Sequence, residues 1–519
     1  MTFSRPQFKA STSVRPRVAV IGAGVGGLAS AIRLAAHGFE VTLLERHKHA
    51  GGKIRTLPSA AGPVDAGPTV LTMRHVFDDL FRYAGARLDD HVTLIPQSLL
   101  ARHFWPDGSQ LDLYADTDQS AEAIRAFAGP RAAAEFWSFS KRTAELFDTF
   151  DAPMMRAPDP KLGALIRHVL SNPKVIGPMA PLSSLAGMLG RQFSDPRLAQ
   201  LFGRYATYVG GSPYRSPAVL ALIWQAEASG VWVVKGGMHK LAGAMAELAA
   251  ALGVDIRLGA HVDHIDVKGG RARGVGLADG AHLSADAVVF NGDPRALASG
   301  ALGAGCTSVA RQSLRGERSF SARVYSFAAV PCGVELAHHN VFFDGDPAAE
   351  FADLHAGRVP RQPSLYICAE DRGQGQAPPP LERFEIITNA PADPADASDR
   401  ELPLWHETII HRAKRFNLIF TPTPDPSTIT TPRMFDRLFP ETKGALYGQS
   451  PHGMMAAFHR PTACTPVRGL YLVGGGAHPG AGVPMATLSA RHAVAAILSD
   501  LTSMSRSDPT AMLGGMSTE

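Results

Sequence analysis

The sequence predicts an α/β protein built around a dinucleotide-binding lobe, and three stretches predict it. Between residues 18 and 45 a short apolar strand, a glycine turn, a helix, a second strand and an acid follow in order. A strand, glycine-rich loop and helix recur far along the chain, over residues 469–498. A glycine pair, Gly236-Gly237, opens a third helix followed by a run of strands.

Residues 18–21 read as a buried parallel strand because they are apolar and β-branched. Gly22, Gly24 and Gly27 then complete G-x-G-x-x-G. The first permits the tight turn, the second lets a pyrophosphate approach the backbone, and the third lets the helix pack closely on the strand. Residues 28–37 are rich in Ala and Leu and stop at Gly38, so they read as the helix whose free N–H groups meet the phosphates. Residues 39–44 give the second strand, and Glu45 closes it 23 residues beyond Gly22, near the usual offset for a carboxylate on a ribose 2′-OH. A 2′-phosphate would be repelled there, which leaves FAD or NAD.

Gly51 and Gly52 permit another close backbone approach, and Lys53 or Arg55 can offset pyrophosphate charge. This placement resembles the flavin amine-oxidase superfamily, where such a pair begins a segment running along an extended FAD. The far stretch supports FAD independently. Gly474-Gly475-Gly476 leads through His478 to Pro484 and Met485 at a helix expected over 486–498, and backbone amides there can meet the ribityl and pyrophosphate oxygens. Pro484 suits a first-turn position. In the third stretch, residues 239–251 carry Leu241, Met245 and Leu248 at helical spacing. Strands follow over 253–258 and 261–267, then a hairpin of 271–277 and 283–290 around Asp279-Gly280, ending in the turn Asn291-Gly-Asp-Pro294.

With 519 residues the chain exceeds one ordinary core, so two lobes are expected. A net charge of +4 without a basic run points away from nucleic acid while permitting mild attraction to anionic lipid headgroups. Cys306, Cys332, Cys368 and Cys464 are too scattered for a cluster or zinc site. His338 and His339 look like a ligand pair, but neighbours on a strand face opposite ways and no third ligand has diagnostic spacing, so no metal is expected. Residues 1–13 read as a disordered leader and 504–519 as a disordered tail, and no apolar run approaches the roughly 20 residues of a spanning helix.

The motifs DAGPTVLT from Asp65, HHNVFF from His338, FNLIF from Phe416 and GGGAHPGAGVPM from Gly474 resemble the bacterial carotenoid desaturases, of the phytoene-desaturase type, across nearly the whole chain. Residues 53–73 are most similar to the hydroxyneurosporene and methoxyneurosporene dehydrogenases, the 1-hydroxycarotenoid 3,4-desaturases of spheroidene and spirilloxanthin synthesis in photosynthetic bacteria. The resemblance implies a discontinuous Rossmann-like FAD-binding lobe from residues 14–75, 232–297 and 460–503, and an α+β substrate and membrane-associated lobe from 76–231 and 298–459. It assigns Gly22, Gly24, Gly27, Glu45, Gly51, Gly52, Lys53, Arg55, Gly67, Pro68, Thr69, Val262, Gly475, Gly476, Pro484 and Met485 to the FAD. It further implies a cytoplasmic enzyme held peripherally on the inner face of the cell or intracytoplasmic membrane, in reach of other carotenoid-pathway enzymes, with oxygen or a quinone as final acceptor.

Removing two hydrogens from a C–C bond needs an acceptor, which a flavin provides at N5, while the protein positions the bond and excludes water. A polyene spreads positive charge, so hydride loss can lead without a strong base. His478 is the leading polar candidate for a base, a structural histidine at a helix start being its other reading. Tyr205, Tyr208, Trp224 and Trp232 read either as an aromatic tunnel or as core. Residues 156–199 read either as a membrane-insertion surface or as an ordinary core helix pair. Competing functions are a phytoene desaturase, a carotenoid isomerase, an amine oxidase, or a non-catalytic FAD-binding membrane-associated protein.

Overall fold

In the computed structural model, which describes residues 15–392 and 402–506, the strand Arg17–Ile21 is the centre of a five-stranded parallel sheet. Val18 and Val20 are buried on one face and Ala19 on the other, the alternation of a strand covered on both sides. The order across the sheet is Leu470–Leu472, Ala287–Phe290, Arg17–Ile21, Glu40–Glu45, Asp255–Leu258. Ile21 is level with both Leu44 and Phe290, and Phe290 with Leu472. Four strands from distant parts of the chain therefore end together, and the turns that follow them share one crevice.

Helices Val25–Ala36, His239–Ala251 and Val483–Arg506 contribute Leu28, Ile32, Leu241, Met245 and Val494 to the core on one face. Each fully buried Leu or Ile there contributes about 1.5–3 kcal/mol. A three-stranded antiparallel sheet, Val262–Lys268, Arg271–Leu277 and His282–Ser284, covers the other face. Here the structure differs from expectation, because residues 283–290 are two strands in two sheets. Asp286 lies between them, and its carboxylate accepts the Arg17 N–H at 2.8 Å, which anchors the crossing from one layer to the other. The last helix runs to Arg506, past the expected start of the tail at 504; the expected leader and residues 507–519 lie outside the described residues.

The second lobe is a largely antiparallel sheet, ordered Leu418–Thr421, Ser321–Gly333, Glu382–Ala390, Leu365–Ala369, His339–Phe342, Leu99–Phe104, Gln110–Tyr114, with Ile429–Thr430 beside Ser321–Gly333. Its Leu100, Leu113 and Val341 pack against helices around an aromatic core of Phe136, Phe139, Phe202 and Trp224. The Phe139 and Phe202 rings lie 4.6 Å apart, and Phe202 meets Trp224 edge-on at 5.3 Å. Helix Thr117–Phe150 bends at Gly129-Pro130, where the proline cannot donate to the ladder and Gly129 takes φ 88°.

Candidate functional site

A cavity of about 760 Å³ runs from the ends of the parallel strands to the inner face of the second sheet. Gly22, Gly24 and Gly26 line it beside Gly474, Gly475 and Gly476, and where Gly26 meets Gly474 there is no room for a side chain. A methyl at Gly26 would stand 2.8 Å from the Gly474 nitrogen, and one at Gly27 would stand 2.0 Å from the Gly22 carbonyl oxygen. Gly27 thus acts from behind the cavity wall, holding helix to strand. Asn291 locks the arrangement: its Nδ2 donates to the Gly22 carbonyl at 3.1 Å, and it lies beside Gly26 and Gly474.

Glu45 lines the cavity with both oxygens engaged, Oε2 accepting from the Ala23 N–H at 2.7 Å and Oε1 from the His47 N–H at 2.9 Å. It braces the glycine turn and keeps further lone pairs for ribose hydroxyls. The helices beginning at Val25 and Val483 both open onto the cavity, and neither has an acid in its first turn. Two positive helix ends, a glycine cradle without side chains and a ribose carboxylate fit an extended adenine dinucleotide.

Gly51, Gly52, Lys53, Gly67, Pro68, Thr69, Val262 and Pro484 also line this cavity, as does Tyr208. Lys53 is enclosed and donates to the Leu446 carbonyl. Burial lowers its ammonium to about 8, Asp293 opposing and Arg318 and Arg460 adding to the fall. The Asp65–Thr69 segment is held from below: the Asp65 N–H donates to Glu370 Oε1 at 2.7 Å, and Asp65 Oδ1 meets His239 Nδ1 at 2.9 Å. Burial, then the charge of Asp65, pushes Glu370 up to about 9, with the Arg383 guanidinium opposing. Arg460 steadies the far glycine loop through the Gly475 carbonyl at 2.7 Å.

Several expected site residues stand elsewhere. Arg55 is buried beneath the segment, donating to Thr430 Oγ1 at 2.5 Å, and does not line the cavity. Met485 does not line it either. His478, the expected base, is away from it as well: its Nε2 bonds the Ala157 carbonyl at 2.8 Å and burial lowers its pKa, so it ties the glycine loop to a neighbouring segment. Tyr205 and Trp224 belong to the aromatic core, and Trp232 sits on a short strand pairing Leu94–Pro96. Of the four expected tunnel aromatics, Tyr208 alone reaches the cavity.

The histidine pair also departs from expectation. The strand begins at His339, so His338 precedes it and the two rings approach to 4.5 Å. Cys368, opposite His339 in register, joins them in a buried trio. His338 Nδ1 donates to the Arg372 carbonyl at 2.7 Å and its Nε2 lies 3.5 Å from Cys368 Sγ, while His339 Nδ1 meets the Tyr366 hydroxyl at 2.7 Å. Sequence spacing had no signal for Cys368, because a cross-strand neighbour can come from any distance along the chain.

Asn291, Arg204 and Tyr366 line the cavity without having been picked out as site residues. Asn291 carried a usable signal, standing directly after a parallel strand, where α/β sheets bind ligands. The other two depend on contacts between separate elements.

Residues 25–314 match the family of flavin containing amine oxidoreductases. The chain is 54% identical over 491 residues to a hydroxyneurosporene desaturase of Cereibacter sphaeroides, covering 95% of this chain and 99% of that one. It is 49% identical over 489 residues to a hydroxyneurosporene desaturase of Rhodobacter capsulatus, covering 93% and 98%. Among solved structures it is similar in fold to an oxidoreductase from Methanosarcina mazei, with a TM-score of 0.60 at 17% identity over 93% of this chain and 100% of that one. The glycine cradle and parallel sheet thus agree with the sequence likeness, and the chain belongs to the flavin containing amine oxidoreductases and, within them, to the hydroxyneurosporene desaturase family.

Proposed function

We propose that the chain, with FAD as its cofactor, removes two hydrogens from the C3–C4 bond of an acyclic carotenoid bearing a 1-hydroxy or 1-methoxy end group. The near full-length likeness to hydroxyneurosporene desaturases carries this reading. Bound FAD supplies the two-electron acceptor. Apolar side chains such as Val70, Val341, Leu365 and Ile387 wall the cavity beyond the glycines, which suits a polyene and keeps water from intercepting a cationic carbon chain.

Among the described residues, no Asp or Glu from the second lobe lines the cavity, whereas the cation Arg204 does. That combination disfavours a protonated amine as substrate. It also leaves the departing proton to weak acceptors. The Tyr366 hydroxyl shares hydrogen bonds of 2.7 Å with Thr69 Oγ1 and with His339 Nδ1, and burial keeps His339 neutral. A weak base suffices when the proton leaves a carbon skeleton whose positive charge is spread along a polyene.

Peripheral attachment to a membrane is part of the proposal. Among the described residues no helix is long and apolar enough to span one. Helix Leu162–Ser171 buries none of its residues and exposes Leu162, Ile166 and Leu170 at four-residue spacing, next to Ile176 and an almost fully exposed Leu182. Such a face suits a lipid surface from which a polyene enters. Oxygen or a membrane quinone completes the electron path.

The test is incubation of FAD-loaded protein in liposomes containing a quinone as electron acceptor, with 1-hydroxyneurosporene and with phytoene. A loss of two mass units from the hydroxylated substrate is expected; efficient multi-step conversion of phytoene would overturn the assignment in favour of a phytoene desaturase.

A further inference from the structure

We infer that Arg204, supported by Tyr208 and sharing its cavity with Tyr366, is the recognition site for the oxygen on C1 of the substrate's end group. The inference rests on the proposed C3–C4 desaturation and adds the residues that choose the end group.

Arg204, Thr207 and Tyr208 lie on the 3₁₀ turn Arg204–Val209 and line the cavity together. A guanidinium has five N–H donors and no acceptor, so a wall of apolar character is an unfavourable place for it unless an acceptor arrives. Among the described residues, the hydrogen bond its guanidinium makes is a long one, 3.5 Å, to the Tyr208 hydroxyl. That hydroxyl donates its own proton to Glu227 Oε2 at 2.7 Å, and Tyr205 donates to Glu227 Oε1 at 2.9 Å. Arg204 Nε is enclosed and unpartnered. The cation is nevertheless fixed, standing 5.2 Å and 5.3 Å from the Tyr205 and Tyr208 ring centres. Two tyrosine rings and a carboxylate behind them hold the guanidinium in place while leaving donors unsatisfied. This is the arrangement of a site awaiting an oxygen.

The location matches the chemistry. The oxygen on C1 is three bonds from C3, so the group that binds it must stand beside the reacting bond and therefore beside the cofactor. Tyr366 makes that junction: it lines the same cavity and bonds Thr69, which belongs to the segment expected along the FAD. Burial, then His338 and Arg204, holds the His339 behind Tyr366 well below its ordinary pKa, so it adds no competing charge. A tertiary alcohol and its methyl ether both present an acceptor oxygen to Arg204. A hydrocarbon end group presents none and would leave the donors desolvated and unpaired.

The test compares kcat/KM for 1-hydroxyneurosporene, its methyl ether and neurosporene in liposomes containing a quinone as electron acceptor, first with the unaltered enzyme. The ether should rank with the alcohol, and the hydrocarbon should fall below both by roughly 10- to 100-fold, the worth of a hydrogen bond to a charged group. In Arg204→Met the ratio of alcohol to hydrocarbon should collapse toward one, and Arg204→Lys, a point charge without the planar fork, should recover part of it. Should Arg204→Met not fold, the three-substrate ranking of the unaltered enzyme still decides. Equal turnover of hydrocarbon and alcohol overturns the inference while leaving the desaturase reading intact; turnover of none of the three overturns the desaturase reading itself. A variant that changes the flavin absorption spectrum but preserves the ratio also overturns it, assigning Arg204 to the cofactor instead.

Discussion

Replacing Gly27, which does not itself line the cavity, by alanine should loosen FAD. The added methyl would lie 2.0 Å from the Gly22 carbonyl oxygen, a backbone atom that cannot swing aside, and 3.1 Å from Asn291 Nδ2. Ordinary contacts of this kind begin above about 3 Å, so the helix must retreat from the strand by roughly 1 Å. Overpacking of this type costs about 1–3 kcal/mol. Because the helix N-terminus moves with it, that energy weighs on the state that binds FAD, and affinity should fall roughly 5- to 150-fold. Titration of FAD-free protein by flavin fluorescence measures it. Gly243→Ala is the internal control: it lies in helix His239–Ala251, its methyl would meet no atom within 4 Å, and stability should rise by about 0.4–1 kcal/mol with affinity unchanged. Wild-type FAD affinity in Gly27→Ala would refute the role given to helix–strand contact.

Lys53 gives a pH signature. Its folded pKa lies near 8 against an ordinary 10.5, so between those values the unfolded chain holds the extra proton and FAD-free protein should gain stability as pH rises. Below about 8 both states are protonated and the gain is absent. Lys53→Met should flatten this slope in chemical denaturation, and an unaltered slope would count against it. His478→Leu removes the bond to the Ala157 carbonyl and should cost about 1 kcal/mol of stability, yet leave the pH profile of desaturation unmoved; loss of a titrating limb would restore His478 as a base. Serine at Leu162, Ile166 and Leu170 together should weaken liposome binding about 100-fold, on the order of 1 kcal/mol per side chain. Undiminished co-sedimentation would place the membrane contact elsewhere.

The parts of the molecule readable in advance are those whose chemistry is local. Gly22 through Glu45 spell out strand, turn, helix, strand and acid within one continuous unit, so backbone sterics and charge determine what they hold. His478 had two readings, base or structural histidine, and sequence could not choose between them because nearness to a glycine loop along the chain is not nearness to the cavity: the loop turns this side chain toward residue 157. Residues 283–290 were misread because their apolar alternation is that of a strand, and alternation does not say which sheet each half will join. Arg204, Tyr366 and Cys368 were beyond reach for a third reason. Their surroundings are assembled across the second sheet and its helices, where register rather than spacing decides which residues meet.

The sheet order has a consequence for the life of the chain before it is an enzyme. Strand Leu470–Leu472 pairs with Ala287–Phe290, and the helix beginning at Val483 supplies one wall of the cavity, so both join the first glycine turn from far along the chain. Until those elements have been made, a nascent chain holds the first glycine turn without its partner loop, and part of the apolar face of Val25–Ala36 lacks its cover. Capture of the flavin therefore waits until the helix beginning at Val483 has been made. Any product stopped short of residue 470 should be colourless and a ready client for chaperones.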